Sequence, residues 1–409
     1  MKEQTRALFI THSYPAINSA NSLCVEKIIK ARPKFLSVCV LCYRFPGQEK
    51  EEEVDGVKVY RIEKDWFWPI EARSRCPGKV NKINLFLTRF VTRVRQCLYL
   101  PYFPLYDVAG CSRLAKAGKK IVKSEGVDAV FADFNGADTL LAGYRICQKT
   151  QAEFYPIFWD CLYDGFRSKY VTKRFNDRKK LALEIRIIKA SSKTIMLEGD
   201  REKASSRYES KPDLFDKLAY IEIPYLDVIR DGWEPKNNGK LIFIFGGSIQ
   251  GRNLEPLLNG LSEINLPIEF DVYSERYNDA SLLSLKKKYP FLRLAKPLPT
   301  SSFVQRCLES DYLVNFGNSN SSAIPSKIFL YFSTCKPVIS TCPIKNEASK
   351  KYVERYPLGH LFDEKEPDLQ SLKDFLTTVQ GKKADSKVVE KEFRQNDPHY
   401  FWRLLVDEK

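Results

Sequence analysis

Residues 322–340 constrain the fold of this chain most strongly, because they read in turn as a loop, a helix, a tight turn and a buried strand. Pro325 suits the first turn of a helix, where its missing N–H removes no hydrogen bond. The hydroxyl of Ser326 is placed to accept from the free N–H groups of that turn. Apolar residues follow at helical spacing as far as Phe332, and Lys336-Pro337 ends the helix before a short apolar strand. The stretch therefore predicts one helix–strand unit of an α/β sheet.

The position of Lys327, beside this predicted helix start, leaves two interpretations open. A loop that leads into a helix N-terminus next to a lysine can hold a phosphate group, because the free N–H groups and the ammonium group both attract anions. An ordinary helix with a surface lysine accounts for the same residues. These residues alone do not choose between the two.

The same stretch resembles a family of retaining, nucleotide-sugar-dependent glycosyltransferases of the GT-B type (glycosyltransferase group 1, family 4-like), which build bacterial surface polysaccharides. Members carry Pro-Ser-Lys-Ile-Phe-Glu-Tyr and then a small-residue turn that ends in Gly-Lys-Pro-Ile-Ile. The chain matches this pattern at residues 325–329, at Tyr331 and at residues 336–339. It departs at Leu330, where the family has a glutamate that holds the donor ribose, and at Cys335, where it has the turn glycine.

The resemblance implies an α/β protein with two Rossmann-like domains that face a central cleft. Length supports two domains independently, because 409 residues exceed one ordinary core. Residues 231–239 are polar, contain proline and glycine, and are typical of a linker. We expect an acceptor domain over 1–230, a linker over 231–239 and a donor nucleotide-sugar domain over 240–392, with a C-terminal helix at about 393–409 crossing back to the first domain.

Short apolar runs separated by helical patterns predict the parallel strands of both domains. In the first half they lie at residues 7–12, 37–43, 57–62, 127–132, 154–160, 194–197 and 220–223. In the second half they lie at residues 241–245, 268–274, 292–295, 312–315 and 337–340. Residues 48–55 are acidic and polar, and we expect a solvated loop there.

A glycine-containing loop follows the first strand of the second half, from Gly246 to Arg252. Glycines let the backbone approach a ligand closely, and the helix start that follows can offer N–H groups to a diphosphate. The glycine spacing fits neither a Walker motif nor a dinucleotide fingerprint. The resemblance implies that Arg252 and Lys327 meet the donor diphosphate and offset its charge as it leaves. The donor-binding set it implies is Gly246, Gly247, Ser248, Arg252, Pro325, Ser326, Lys327 and Leu330.

Loops after the strands of the first half hold the candidates for acceptor contact and catalysis, because open α/β sheets bind ligands at the carboxyl ends of their strands. These candidates are His12, Ser13, Tyr14, Asn18, Asp160 and Asp164. The resemblance implies that the loop after the first strand faces the cleft, and Asp160 is also a candidate catalytic carboxylate. A histidine packed at a strand end explains His12 equally well, and a helix N-cap is the commoner use of either aspartate.

The formal net charge of +15 is compatible with nucleic acid, an anionic membrane or anionic small substrates as partners. A predicted helix within residues 79–106 carries Phe86, Phe90, Val94 and Cys97 on one face and basic residues off that face. Such a segment can lie on an anionic membrane, but it can also pack on the first domain with its basic face in water. Residues 167–190 form a second basic, helical segment.

Several classes are disfavoured by what the sequence contains. It has no run of about 18 apolar residues that would span a membrane, and residues 1–6 lack a signal-peptide core. The eleven cysteines are scattered and only three histidines occur, which predicts reduced thiols and no structural zinc. We therefore expect a cytoplasmic protein, lying peripherally on the inner face of the cell membrane if the basic helices bind lipid.

The resemblance implies a metal-independent hexosyltransferase that needs no cofactor. It would move a sugar from a nucleoside diphosphate, most often UDP, to a glycan or polyprenyl-linked acceptor in capsule or exopolysaccharide synthesis. Two alternatives stay open: a nucleotide-sugar epimerase, which shares the fold, and a non-catalytic glycosyltransferase-like partner subunit, which Leu330 would permit. Nucleic-acid binding is disfavoured, because the basic residues sit in no known nucleic-acid motif.

Overall fold

The computed structural model describes residues 5–17, 20–75, 82–105, 107–163, 170–229, 239–319 and 324–406. Contacts divide the chain into two compact units: Met1–Pro224 with Pro398–Lys409, and Tyr225–Asp397. The predicted boundaries, at 231–239 and near 393, lie several residues away from these divisions. The predicted linker lies almost wholly outside the described residues.

The first unit is built on an eight-stranded sheet whose order is β3-β4-β2-β1-β5-β6-β7-β8. The strands are β1 (Arg6–Ile10), β2 (Ser37–Tyr43), β3 (Glu51–Val54), β4 (Val57–Ile62), β5 (Ala129–Asp133), β6 (Glu153–Phe158), β7 (Thr194–Leu197) and β8 (Leu218–Ile221). All neighbouring strands are parallel except β3 and β4. The central strands are apolar and buried along almost their whole length, as expected when helices cover both faces of a sheet.

Helices of the first unit fill the connections between these strands. They are α1 (Ala20–Lys30), α2 (Trp68–Arg75), α3 (Lys82–Leu98), α4 (Val108–Glu125), α5 (Ala137–Cys147), α6 (Lys173–Ala190), α7 (Arg201–Tyr208) and α15 (Pro398–Val406). Short 3₁₀ turns lie at Leu100–Tyr102, Glu198–Asp200 and Pro212–Lys217.

The second unit repeats the architecture with a fully parallel six-stranded sheet of order β11-β10-β9-β12-β13-β14. Its strands are β9 (Leu241–Gly246), β10 (Ile268–Tyr273), β11 (Leu292–Ala295), β12 (Tyr312–Asn315), β13 (Val338–Cys342) and β14 (Gly359–Asp363). Its helices are α8 (Glu255–Ile264), α9 (Ala280–Lys288), α10 (Thr300–Glu309), α11 (Lys327–Ser333), α12 (Lys350–Val353), α13 (Leu369–Val379) and α14 (Ser386–Glu392), with a 3₁₀ turn at Arg394–Asn396.

One sequence prediction in the first sheet is wrong. The acidic residues predicted as a solvated loop form β3 instead, an antiparallel edge strand paired with β4. Asp55 and Gly56, both at positive φ, make the tight turn between the two strands. Charged residues are tolerated because an edge strand is open to water, and they also discourage pairing with other chains.

The C-terminal helix α15 belongs to the first unit, where it packs against α1. The ring of Trp402 lies 5.9 Å from Phe9 and 5.8 Å from Phe131, measured between centroids. Its Nε1 donates a hydrogen bond of 2.8 Å to the carbonyl of Ile28. The helix therefore covers the aromatic side chains of the two central strands β1 and β5.

Helix α3 exposes the apolar face that the sequence identified. Phe86 and Phe90 are 68% and 57% exposed. The opposite side of the helix is tied to the fold, because Arg95 pairs with Asp65 and with Glu71. The helix therefore packs on the first unit with Arg89 and Arg93 exposed, as one alternative expected, but its apolar face takes no part in that packing. None of the helices in the described part of the chain is both long and apolar enough to cross a membrane.

Candidate functional site

Both sheets have a topological switch point, where the strand order reverses and open α/β sheets bind their ligands. In the second unit it lies between β9 and β12, because the chain first builds outward to β11 and then returns to the other side of β9. In the first unit it lies between β1 and β5. Residues at the carboxyl ends of these four strands are therefore the first place to look for a site.

At the end of β9, the backbone of Gly246 is held tightly from two sides. Its N–H donates a hydrogen bond of 3.1 Å to the hydroxyl of Tyr331 on α11. A Cβ at this position would lie 2.3 Å from the ring of Phe303 on α10. Gly246 thus brings strand β9 close to two helices, which a larger residue would prevent.

The loop after β9 turns through Gly251, whose φ of +73° is the left-handed conformation that glycine favours. Gly247 continues the sheet by donating to the carbonyl of Tyr273, while the hydroxyl of Ser248 accepts from the N–H of Gln250. The turn ends at Arg252, whose guanidinium carbon lies 5.7 Å from the centre of the Phe245 ring. The loop therefore folds the arginine back over the end of its own strand.

Lys327 begins helix α11, and its Nζ lies 4.9 Å from the centre of the Phe303 ring. Burial lowers the pKa of Lys327, and the positive charge of Arg252 lowers it further. Burial also lowers the pKa of Arg252, against the opposing influence of Tyr331 and Glu347. Among the described residues, no carboxylate lies within ion-pair distance of either side chain. Two partly desolvated cations therefore act on each other in the second unit without a directly paired anion.

A buried carboxylate that the sequence did not single out organises the loop after β12. Glu347 is 4% exposed and accepts hydrogen bonds from the N–H groups of Asn318 (3.2 Å) and Ser349 (2.7 Å). Gly317, just before Asn318, has no room for a side chain, because a Cβ would lie 2.3 Å from the carbonyl oxygen of Thr341. Glu347 fixes this loop and supplies negative charge that acts on Arg252. An isolated glutamate in a polar run offers no sequence signal for this role.

The remaining residues of the 322–340 stretch have structural roles. Pro325 is buried, and its carbonyl accepts from the N–H of Ile328 to begin the helical turn. The predicted cap by Ser326 is wrong: its backbone is already helical, at φ −56° and ψ −27°, so its hydroxyl does not reach the N–H groups that follow. Leu330 is buried within α11. Cys335 has a φ of +58°, which is the conformation expected of the turn glycine that it replaces.

In the first unit, His12 follows β1 and lies within a cluster of aromatic rings. The centroid of its ring lies 5.7 Å from Tyr43, 5.6 Å from Phe45 and 6.0 Å from Trp68. The same cluster holds Lys64, whose Nζ lies 4.4 Å from the centre of the Tyr43 ring. These contacts make His12 part of a packed cluster at the carboxyl end of the sheet.

Lys64 is a buried cation paired with two carboxylates. Its Nζ lies 2.9 Å from Asp107 and 3.6 Å from Asp138. Burial alone would lower its pKa, but Asp138 and Asp107 together raise it, so the group stays charged. Asp138 also accepts a hydrogen bond from the hydroxyl of Tyr43, which ties the ion pair to the aromatic cluster.

Asp133 ends β5 on the other side of the same switch point and is a second carboxylate that the sequence did not select. It is 1% exposed, and burial raises its pKa to about 7. Its Oδ2 accepts hydrogen bonds from Thr11 (3.3 Å) and Asn135 (2.6 Å). A carboxyl group that exchanges its proton near neutral pH can act as an acid or a base.

The other predicted residues of the first unit have different surroundings or lie outside the described part of the chain. Ser13 and Tyr14 are buried, and the hydroxyl of Ser13 accepts from the N–H of Ile17 inside its own loop. Burial raises the pKa of Tyr14 to about 12. Asp160 is exposed after β6. Asn18 and Asp164 lie outside the described residues.

No protein-family model and no curated protein matches the chain. Solved structures match it along its whole length. HepE from Anabaena, solved with UDP and glucose, is 11% identical, with a TM-score of 0.57 over 99% of this chain and 100% of that one. The lipopolysaccharide outer core galactosyltransferase WaaB is 10% identical, with a TM-score of 0.53 over 99% and 100%.

A UDP-GlcNAc 2-epimerase from Methanocaldococcus jannaschii is also similar, at 11% identity and a TM-score of 0.51 over 98% of this chain and 100% of that one. Sequence identities this low describe the fold and leave the reaction open. The chain has the two-unit α/β fold of the GT-B glycosyltransferases, which UDP-sugar epimerases share.

Proposed function

We propose that this chain is a glycosyltransferase that takes a sugar from a nucleoside-diphosphate donor, most simply a UDP-sugar. The observation that carries the proposal is the pair of cations, Arg252 and Lys327, which lie in the second unit without a carboxylate partner among the described residues. A diphosphate would supply the missing negative charge. The solved structures of HepE contain UDP or UDP-glucose, which is consistent with this choice.

The proposed reaction breaks the bond between the sugar anomeric carbon and the diphosphate oxygen, which keeps the electron pair. An acceptor hydroxyl oxygen forms the new bond to that carbon and releases its proton. Arg252 and Lys327 would stabilise the negative charge that develops on the leaving diphosphate, which is electrostatic catalysis without a metal. Since both cations are partly desolvated, their attraction for that charge is stronger than it would be in water.

The first unit would bind the acceptor, and we propose a glycan or lipid-linked sugar of the kind used in bacterial surface polysaccharides. His12 and Asp133 lie beside the switch point of its sheet and are the polar groups that we assign to this site. Asp133 would receive the proton of the acceptor hydroxyl, directly or through water, because its pKa is raised to about 7.

Binding of UDP is the first prediction to test. UDP at 100 times its Kd should stabilise the protein by about 2.7 kcal/mol, and hence raise its melting temperature by about 5–10 °C. Lys327→Ala and Arg252→Ala should each remove most of that rise, because each deletes one of two cations that meet the diphosphate. Lys287→Ala, an exposed lysine on α9, is the matched control and should keep the full rise.

If no nucleoside diphosphate changes the melting temperature, the proposal is contradicted and the non-catalytic partner subunit is favoured. The buried Leu330, which stands where the resembled family has a glutamate, would then account for the missing donor binding. The product of the reaction distinguishes an epimerase from a transferase. Incubation of UDP-GlcNAc without acceptor, followed by NMR, would show inversion at C2 for an epimerase. A transferase would leave that carbon unchanged and release UDP only when an acceptor is added.

We also propose that α3 places the protein on an anionic membrane. The exposed stripe of Ile83, Phe86, Phe90 and Leu98 has the spacing of one helical face. Arg89 and Arg93, which are both exposed, lie beside it and would meet anionic headgroups. This would bring a lipid-linked acceptor to an enzyme that lies peripherally on the inner face of the membrane.

Vesicle flotation tests the membrane proposal. Phe86→Ser/Phe90→Ser should weaken binding to phosphatidylglycerol vesicles at least tenfold, since burial of each ring contributes about 1.5–3 kcal/mol. The control is Leu283→Ser/Val388→Ser, which removes two exposed apolar side chains from the second unit. It should bind the vesicles as strongly as the unaltered protein does. Equal binding by both double variants, or no binding even at low salt, would rule out α3 as the membrane contact.

A further inference from the structure

A cavity of about 440 Å³ in the first unit is lined by nine residues, of which six are cations and one, Glu63, is a carboxylate. It opens at the ends of β2 and β4 and is covered on one side by α4. The cations that line it are Arg44, Lys50, Arg61, Arg113, Lys116 and Lys120. All of them belong to the first unit, whereas Arg252 and Lys327 belong to the second.

The arginines of this cavity are held in place by neutral carbonyl groups. Arg61, which is buried, donates to the carbonyl oxygens of Tyr14 (2.8 Å) and Glu49 (3.2 Å). Arg44 donates from Nε to the carbonyl of Gln48 at 2.8 Å, and Arg113 donates from Nη1 to the carbonyl of Glu63 at 3.2 Å. Carbonyl acceptors fix the orientation of a guanidinium group without cancelling its charge.

Few carboxylates compensate these charges. Glu52 pairs with Arg61, and Glu63 lies 3.7 Å from Arg44. In the described part of the chain, Lys116 and Lys120 have no carboxylate partner, and neither has Lys50. Six cations against these two carboxylates leave four positive charges around one cavity.

We propose that this cavity is a binding site for a diphosphate group. A volume of this size lies within the range of small-ligand sites, about 300–1,000 Å³, and the roughly two to three negative charges of a diphosphate group at neutral pH would be balanced by the four uncompensated cations. The fixed guanidinium groups of Arg44 and Arg113 would bind phosphate oxygens directly, while the buried Arg61 would act through its charge and the exposed lysines at the rim would attract the ligand. The diphosphate could belong to a soluble molecule or to a lipid, and both have the same chemistry at the cavity.

Titration calorimetry with inorganic pyrophosphate at low ionic strength tests this site. The full chain carrying Lys327→Ala is used throughout, so that the cations of the second unit contribute little to binding. Adding Lys116→Ala/Lys120→Ala should raise the Kd for pyrophosphate at least tenfold. Lys119→Ala/Lys123→Ala is the matched control, because it removes two lysines from the same helix that do not line the cavity, and should change the Kd less than twofold.

If both double variants raise the Kd for pyrophosphate equally, the proposal is overturned, because pyrophosphate binding would then depend only on the overall charge of α4. Absence of pyrophosphate binding would overturn it as well. Flotation with phosphatidylcholine vesicles that contain a polyprenyl diphosphate then identifies the source. A loss of binding that is specific to Lys116→Ala/Lys120→Ala assigns a lipid ligand, and no such loss assigns a soluble one. None of these outcomes depends on whether UDP binds the second unit.

Discussion

Lys64→Met should lower the free energy of unfolding of the first unit by about 3–5 kcal/mol, because it leaves two carboxylates without their buried partner. Asp107 and Asp138 lie within 2.9 and 3.6 Å of the Lys64 ammonium group. Methionine fills a similar volume, so most of the loss would come from charge and not from a cavity. The pKa of Lys64 is raised, so its contribution should persist through neutral pH and disappear only above the ordinary range for lysine.

Urea unfolding followed by tryptophan fluorescence measures this effect. Four of the five tryptophans, at positions 66, 68, 159 and 402, lie in the first unit, so the signal reports mainly on that unit. Lys58→Met is the control: its pair with Glu125 is solvent-exposed, and its loss should change stability by less than about 1 kcal/mol. If the two variants lose the same free energy, the buried pair does not hold the aromatic cluster together.

Asp133→Asn should make the stability of the first unit less dependent on pH. The pKa of Asp133 is raised to about 7 in the folded protein, well above its value of about 3.9 in an unfolded chain. Between these values the folded state holds a proton that the unfolded state has released, so stability falls as the pH rises. Between pH 5 and pH 8, the free energy of unfolding of the unaltered protein should therefore fall by about 3 kcal/mol more than that of Asp133→Asn.

The comparison is made by urea unfolding of both proteins at the two pH values. Asp216→Asn, which removes an exposed carboxylate from the same unit, corrects for the loss of one acidic group. If the free energies of unfolding of the unaltered protein and of Asp133→Asn differ by the same amount at both pH values, Asp133 does not exchange its proton in this range. The assignment of Asp133 as a proton acceptor would then fail as well.

Strands with continuous apolar runs could be predicted from the sequence, because burial on both faces of a parallel sheet requires such runs. The strands at 37–43 and 312–315 have the bounds that were predicted. The two strands that were missed, β3 and β14, lie at sheet edges and are less buried. An edge strand can be polar, so its composition does not separate it from a loop, although the Asp55-Gly56 turn was a usable signal for β3.

Cations of the candidate site were easier to find than carboxylates. Arg252 and Lys327 stand in short motifs that can be read locally. Asp133 and Glu347 were missed because their roles depend on their being buried. Which side chains are buried depends on distant strands and loops that pack around them, and the local sequence does not show this. The cavity around Lys116 and Lys120 was missed for the same reason, since its residues come from three separate parts of the chain.

The position of α15 has a consequence for the order in which the protein can fold during synthesis. Phe9 and Phe131 stay uncovered until Trp402 has left the ribosome, and by then the whole of Tyr225–Asp397 has been made. The second unit can therefore complete its own core first, while the aromatic side chains that α15 will cover in the first unit are still exposed to water. A fragment that stops at Pro224 would keep that face exposed permanently, so the first unit should be produced with residues 398–406 joined to it.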